Sequence, residues 1–371
     1  MSDTPHFTIK ALAPDNDRVL KSLVTLFEGA HGLSHPNKNV YALQYWRSHI
    51  GSRFTSLGAF VDGKMAAHIA LLPDPHDQLV VQLIFPVVSP AYKQFEEEII
   101  DALDSVIAKQ AARRSWNSIF YFDYVGCPSE ATFELPIMGS REVAIAPAYF
   151  PMIDLSSVKE GNANGNGSRS CRLTIEVRQA ILNKSNEERK ILYVPERHAS
   201  VVNFLYEPFA LQREFRSVAE SSTTGTVISN PFFADCPAVY EDYFSPIETI
   251  HLYVQPSLIT AAQKLQLLRK DGDAKARYIF LNMQDPACIA LCQEIESQGF
   301  SFCGVMPCFF GQENIIYFWA EDPSFDVEAV RSLRGSKLAR HMEVEAKKRH
   351  AHGILSAIVH KRANYETISS S

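Results

Sequence analysis

The chain has 371 residues, of which 46% are hydrophobic and 21% charged, with a formal net charge of −6. This composition excludes a disordered chain, the length suggests two domains, and the acidic balance argues against a dedicated nucleic-acid binder, which carries a basic excess. No apolar run approaches the roughly 20 residues that cross a bilayer, and MSDTPHFTIK lacks the charged head and apolar core of a signal peptide, so no membrane partner is expected.

Residues 7–11 read as a short strand, after which Val19, Leu20, Leu23, Val24, Leu26 and Phe27 recur at helical spacing. The turn-rich stretch 29–39 precedes a second short helix over 40–50. Residues 55–61 and 64–72 read as a hairpin, because Asp62-Gly63 between apolar runs supplies the two positive φ angles of a tight turn. A buried strand is expected over 79–89, then an amphipathic helix from Ala91 with Ile99, Ile100, Leu103, Val106 and Ile107 on one face. Strands over 118–125, 142–155 and 171–181 complete the first half, with a short or broken helix within 127–138. Alternation along 118–125 puts Tyr121 and Asp123 on one face, opposite Phe120, Phe122 and Tyr124. The Ser/Gly/Asn-rich stretch 156–170 reads as a hairpin tip, and the polar segment 182–190 as a domain boundary.

The second half repeats the pattern. A strand over 191–195 leads to a helix with Val201, Val202, Leu205 and Phe209 on one face, and strands are expected within 213–240 and over 249–255. A helix over 257–270 and a buried strand over 276–283 follow. Asp285-Pro286 marks the start of a helix over 285–298, and Gly299 its end. Residues 304–310 and 314–320 read as a closing hairpin, followed by a basic helical extension and a polar tail. The seven cysteines include no C-x-x-C pair, so neither a disulfide framework nor a metal site is expected, and a reducing, cytoplasmic setting fits.

The order strand, helix, helix, hairpin, long strand, helix, strand, helix, hairpin resembles that of the GNAT acyltransferase superfamily. FPVVSPAYKQFEEEIIDAL at 85–103 resembles its cofactor motif, in which a strand ends in V-x-P-x-Y-R and runs into a glycine loop and helix. YIFLNMQDPACIALCQEIESQGFSFCGVMPCFF at 278–310 resembles its later strand, helix, Gly-Phe, strand motif. YVPERH at 193–198 resembles the turn that opens the second unit of tandem GNAT-like proteins. The resemblance implies an α/β (α+β) fold of two tandem units, each a mixed, mostly antiparallel sheet flanked by helices. These would span 1–184 and 185–322, with a helical extension and tail over 323–371. It further implies acetyl-CoA or another acyl-CoA as co-substrate. The pantetheine arm would lie between splayed fourth and fifth strands, and the diphosphate would lie on loop amides at a helix N-terminus. Pro86, Val87, Val88, Tyr92, Lys93 and Gln94 are then the cofactor-binding candidates.

Where the family carries glycines, this loop reads Gln94, Phe95, Glu96, Glu97, Glu98. Carboxylates there suit the helix dipole but repel a diphosphate, by about 4 kcal/mol for unit charges about 4 Å apart at an effective dielectric near 20, so cofactor binding requires them to turn outward. In the second unit Val254-Gln255-Pro256 is followed by neither glycine nor cation, and Ile295 stands where the family has its general-acid tyrosine; the unit reads as degenerate. Cys127, Ser129 and Glu130 follow the fifth strand and are the catalytic candidates, Glu130 as base and Ser129 as donor. His31 and His35 lie in the loop that walls the acceptor site in the family and are the substrate candidates. His68 reads as a core histidine, Cys288 and Cys292 as core thiols, and His341, His350 and His352 as part of a solvated helix. The expected function is acyl-CoA-dependent N-acyl transfer to a small amine or amino-acid-like acceptor, carried by the first unit. Two alternatives stand beside it. One is a catalytically silent scaffold that binds a ligand or partner. The other is an enzyme drawing on an acyl carrier protein or an aminoacyl-tRNA, the tRNA arm being disfavoured by the acidic charge.

Overall fold

The structure is a computed structural model and describes residues 5–33, 35, 37–75, 77–124, 136–150, 173–182, 189–217, 239–244, 249–269, 274–309, 311–320, 327, 330 and 332–348. Most of the helix expected within 127–138, the hairpin tip 156–170 and most of the boundary segment 182–190 lie outside the described residues. The elements run β1 (Thr8–Ala11), α1 (Asp17–His31), α2 (Leu43–His49), β2 (Thr55–Val61), β3 (Lys64–Pro73), β4 (Val80–Val88), α3 (Glu96–Arg114), β5 (Ser118–Tyr124), β6 (Arg141–Phe150) and β7 (Leu173–Ile181). The second half continues with β8 (Lys190–Tyr193), α4 (Glu196–Tyr206), β9 (Arg213–Arg216), β10 (Val239–Phe244), β11 (Thr249–Val254), α5 (Ala261–Leu267), β12 (Ala276–Asn282), α6 (Cys288–Ser297), β13 (Ser301–Phe309) and β14 (Gln312–Ala320). A last helix, α7, covers 333–348.

Local chemistry sets most of these boundaries. Asn16 accepts the Val19 N–H and starts α1, whose Leu20, Leu23, Leu26 and Phe27 form the buried stripe. Asp62 and Gly63 adopt φ of 48° and 75°, as the β2–β3 turn requires. The helix expected from Ala91 begins instead as a 3-10 turn over Pro90–Phe95, and α3 follows at Glu96. Similarly, α5 starts only at Ala261, because Thr260 and Gln263 form a reciprocal capping box there.

Among the described residues twelve strands join one sheet in the order β1-β2-β3-β4-β5-β7-β6-β13-β14-β12-β11-β10. Of these described strands, only β4–β5 and β11–β12 pair in parallel within the sheet. From β3 to β6 the pairing runs antiparallel, parallel, antiparallel, antiparallel, and the same succession runs from β10 to β13. The result is the mixed, mostly antiparallel α+β class expected from the sequence, with both halves sharing one sheet. Their opening elements differ. β1 pairs antiparallel with β2 inside the sheet, whereas β8 and β9 form a separate parallel ribbon.

The halves meet where β6 crosses β13 at Ala144 and Gly304. Gln179 Nε2 donates to Pro307 O at 2.6 Å, the Tyr278 hydroxyl donates to Pro147 O, and the Phe120 and Phe309 rings meet edge-on at 5.7 Å. Gly304 sits at φ 146°, and a Cβ there would come within 2.4 Å of both Ala144 Cα and Val143 O. Neither contact is with a side chain that could move aside. Gly304→Ala should therefore prise β6 from β13 and cost about 1–3 kcal/mol or more, read as a drop in denaturation midpoint. An unchanged midpoint would show that the seam accommodates the methyl group.

Candidate active site

The parallel ladder between β4 and β5 runs only from Val80↔Ser118 to Leu83↔Tyr121, although β4 continues to Val88 and β5 to Tyr124. Past that point the two strands form an open fork. The local sequence explains the opening. The β3–β4 register breaks between His68 and Ala70, opposite Phe85 and Pro86, and Phe85 has φ 56°, a left-handed value uncommon outside glycine. Proline has no N–H to give a ladder, so Pro86 is tolerated in a central strand where no strand asks for that hydrogen bond. The Phe85 carbonyl is taken up by His68. His68 Nδ1–H donates to Phe85 O at 3.1 Å, which leaves Nε2 to accept from Ser56 Oγ at 2.6 Å. His68 is fully buried, and burial pushes its pKa down to about 3, so it is a neutral structural histidine, as read from the sequence.

The fork leads into the Pro90–Phe95 turn and then the N-terminus of the 19-residue α3. Among the described residues no side chain caps that helix end. The helix continues directly from the 3-10 turn, whose Lys93 carbonyl accepts the Glu96 N–H. Of the cofactor-binding candidates, Pro86 is half-buried and Val87 and Val88 are buried on β4; Tyr92, Lys93 and Gln94 lie in the turn. Lys93 Nζ is 3.0 Å from Glu96, which is 8% exposed, while Glu97 is exposed. Glu97 thus faces outward. Glu96 does not, and its charge is neutralised by Lys93.

The matching place in the second half is closed. β11 and β12 pair along the whole of β11, from Thr249↔Ala276 to Val254↔Leu281, and Pro256 lies beyond the strand. Asn282 Nδ2 donates to Gln255 Oε1 at 3.2 Å, bridging the two strand ends. The Ser257 N–H donates to Asp285 Oδ2 at 2.7 Å, and α5 has its full capping box, so side chains occupy the amides at that end.

His31 and His35 come together behind the fork. Their rings are 5.0 Å apart, both pack on Phe27, and His35 lies 6.3 Å from the Phe85 ring. The His35 N–H donates to the Tyr41 hydroxyl, and its Nδ1 lies 3.1 Å from both the Asn37 N–H and carbonyl, which fixes the loop. Burial lowers both pKa values to about 4, with His31 adding repulsion at His35, so both rings are neutral at neutral pH. Cys127, Ser129 and Glu130 lie outside the described residues.

Beyond the fork point, Asp123 on β5 meets Arg178 on β7 at 3.3 Å, and Arg178 also reaches Glu142 at 3.0 Å and Glu176 at 3.5 Å. Burial pushes Glu176 up to about 7; the Arg178 charge opposes this, but the loose contact does not overcome it. Ser332, just before α7, donates to Glu176 Oε1 at 3.0 Å. The sequence placed Asp123 on a face with Tyr121. Nothing in it singled out Arg178 or Glu176, whose partners come from other strands.

No family model matches the chain, and no curated protein matches it. Structures to which it is similar include the ribosomal-protein-S18-alanine N-acetyltransferase from Escherichia coli, at 16% identity and TM-score 0.35, covering 49% of this chain and 98% of that one. The ribosomal-protein-S5-alanine acetyltransferase from Vibrio fischeri is 10% identical with TM-score 0.35, covering 48% and 94%. The aminoglycoside 6'-N-acetyltransferase from Enterococcus faecium is 11% identical with TM-score 0.33, covering 47% and 97%.

The histidine behind the fork gives a pH signature. His68 has a folded pKa of about 3 against 6.5 for the ordinary group. Between those values the unfolded chain binds a proton that the folded chain refuses. Its stabilising effect is therefore complete above pH 6.5 and lost as pH falls toward 3. His68→Gln should be less stable near neutrality by about 1–3 kcal/mol, through imperfect replacement of two buried hydrogen bonds. That deficit should shrink by about 1.4 kcal/mol per unit as pH falls from about 6 to about 4. Urea unfolding across that range checks it; parallel profiles for the two proteins would mean that His68 is not held neutral.

Proposed function

We propose that the N-terminal domain, 1–184, is an acyl-CoA-dependent N-acyltransferase acting on a small amine or amino-acid-like acceptor. In this reading 185–322 is a degenerate second domain and 323–371 an extension. The observation that carries the reading is the asymmetry of the two parallel pairs. β4 and β5 part beyond Leu83↔Tyr121, whereas β11 and β12 stay paired to Val254↔Leu281. An acyl-CoA, acetyl-CoA in the simplest case, supplies an activated thioester carbonyl. The backbone of Pro86, Val87 and Val88 lines the fork that would take the pantetheine arm. The turn carrying Tyr92, Lys93 and Gln94 and the N-terminal end of α3 would take the diphosphate through amide N–H groups and the Lys93 charge.

His31 and His35, neutral and set against Phe85, would wall the acceptor side. Glu130 would take a proton from the acceptor amine and Ser129 would donate toward the leaving thiolate, with Cys127 beside them. A reducing, cytoplasmic setting belongs to the same reading, since the seven cysteines include no C-x-x-C pair. A catalytically silent ligand-binding scaffold is favoured by one observation, the Lys93–Glu96 ion pair, which leaves the turn without net positive charge from those two residues.

Calorimetric titration of the full chain with acetyl-CoA separates the readings. One site per chain is expected. Lys93→Glu should lower affinity at least tenfold, since it replaces attraction to the diphosphate by repulsion. Glu96→Gln should raise affinity several-fold by releasing the Lys93 charge. Binding that is absent in all three proteins, or unaffected by Lys93→Glu, removes the fork from the account, and two sites per chain would contradict the degenerate second domain.

A further inference from the structure

The body of α7 is fixed on the second half. Leu338, Ala339 and Met342 are buried in the same apolar core as Val201, Val202 and Leu205 of α4. Arg334 Nη2 donates to Phe204 O, and its guanidinium stands 4.2 Å from the centre of the Phe204 ring. Lys337 Nζ lies 3.6 Å from the centre of the same ring, so two cations grip one aromatic face of α4. One turn after Lys337, His341 Nε2–H donates to His198 Nδ1 at 2.9 Å, and His198 is itself held by Glu296.

The first turn of α7 meets the other half, at β7. Ser332 caps the helix: its Oγ accepts the Gly335 N–H at 2.9 Å, and its hydroxyl donates to Glu176 Oε1 at 3.0 Å. The contact is close enough to require glycine at 335. A Cβ there would lie 2.1 Å from Glu176 Oε1 and 2.6 Å from Ser332 Oγ. Glu176 has little room to withdraw, since its side chain is 5% exposed. Across the β5–β7 ladder Glu176 is the partner of Asp123. Asp123 belongs to the end of β5, Phe122 to Tyr124, that runs past the last β4 pairing at Leu83↔Tyr121 and among the described residues pairs with β7 alone. Carboxylates directly opposite each other destabilise a ladder. Glu142 on β6 adds a third, and Arg178 is set among them, 3.3 Å from Asp123, 3.0 Å from Glu142 and 3.5 Å from Glu176. At Glu176 the Ser332 hydroxyl and the N-terminal dipole of α7 add to that compensation. The charge balance of the free end of β5 therefore depends on where α7 sits.

We propose that α7 is a strap through which the second half sets the geometry of the fork: anchored on α4, it fixes Glu176 by its Ser332–Gly335 turn, and through Glu176 the Asp123 end of β5. Ser332 and Glu176 are positioning residues, which act on the cofactor site through β5. The inference rests on the reading of the fork as the acyl-CoA site. Loss of the Ser332 contact leaves Glu176 facing Asp123 with less compensation, and the one-sided end of β5 loosens before the rest of the sheet.

Hydrogen–deuterium exchange of the full chain without ligand, joined to calorimetric titration with acetyl-CoA, tests the strap. Ser332→Ala and Gly335→Ala should each speed exchange about fivefold or more in peptides covering 333–342 and in those covering 118–124, and leave the hairpin 55–73 unchanged. Each should also weaken acetyl-CoA binding about threefold or more, because the fork is no longer held in its binding geometry. Ser332→Thr, which keeps the hydroxyl, should match wild type in both readings. The strap is overturned if 333–342 loosens while 118–124 keeps its wild-type rate, if 55–73 loosens equally, or if neither variant alters exchange at 118–124. It is also overturned if 118–124 loosens with no change in acetyl-CoA affinity. A wild-type chain that binds no acetyl-CoA refutes the fork as the cofactor site, and the exchange rates still decide whether α7 governs the end of β5.

Discussion

The N-terminal half is organised around an interruption in its own sheet: the ladder between β4 and β5 stops at Leu83↔Tyr121 while both strands run on. Opening a central pair is costly, because a buried backbone group left without a partner loses about 1–3 kcal/mol. The chain limits that cost with two adjacent residues. Pro86 has no N–H to leave unpaired, and Phe85, turned into the left-handed region, sends its carbonyl to His68. His68 is in turn bonded by Ser56 on β2 and packed by Phe27 and Trp46 from the two flanking helices. The gap is thus part of the folded state and needs no ligand to create it. Everything proposed for the site, from the exposed strand backbone to the histidine pair beside Phe85, depends on that gap.

The second half shows what the same succession of strands does without the interruption. Its parallel pair closes completely, and its polar groups are occupied in holding elements together. Glu313, fully buried, accepts from Arg213 at 2.7 and 3.0 Å, from the Tyr206 hydroxyl at 2.9 Å and from the Cys308 N–H at 3.3 Å, which ties the β8–β9 ribbon and α4 to the sheet. Glu296 accepts from His198 Nε2–H at 2.8 Å and from Tyr317 at 2.7 Å and is paired with Arg197, while His198 Nδ1 accepts from His341 Nε2–H of α7 at 2.9 Å. Carboxylates so enclosed are strongly destabilising to disturb, because losing one partner leaves a buried charge uncompensated. Such a half is built for rigidity, and through Gly304, Gln179 and the Phe120–Phe309 contact it braces the sheet that carries the fork.

Local signals in the sequence were sufficient for most elements. The Asp62-Gly63 hairpin, the α1 stripe and Gly299 at the end of α6 each follow from residues within a few positions of one another. His68 as a core histidine and Cys288 and Cys292 as core thiols are likewise where the apolar pattern put them, all fully buried. Helix starts were less legible, since Pro90–Phe95 and Pro256–Leu258 adopt 3-10 turns before α3 and α5 form. The motif 85–103 located the fork, but the physical device in it, Phe85 at positive φ beside a proline, was not read. Cofactor binding was read as requiring Glu96, Glu97 and Glu98 to turn outward; Glu97 is exposed and Glu98 half-buried, but Glu96 is buried against Lys93, a pairing at i and i+3 that the spacing permits but does not require. The Arg178 network and the parallel β8–β9 ribbon depend on pairing between distant segments, which a single chain does not display.

Hydrogen–deuterium exchange of the full chain with and without acetyl-CoA tests the central claim most directly, because it reads both parallel pairs in one experiment. If the open fork is the one cofactor site, acetyl-CoA should slow exchange in peptides covering 84–96 and leave those covering 254–261 unchanged. Protection over 254–261, or none over 84–96, would contradict it.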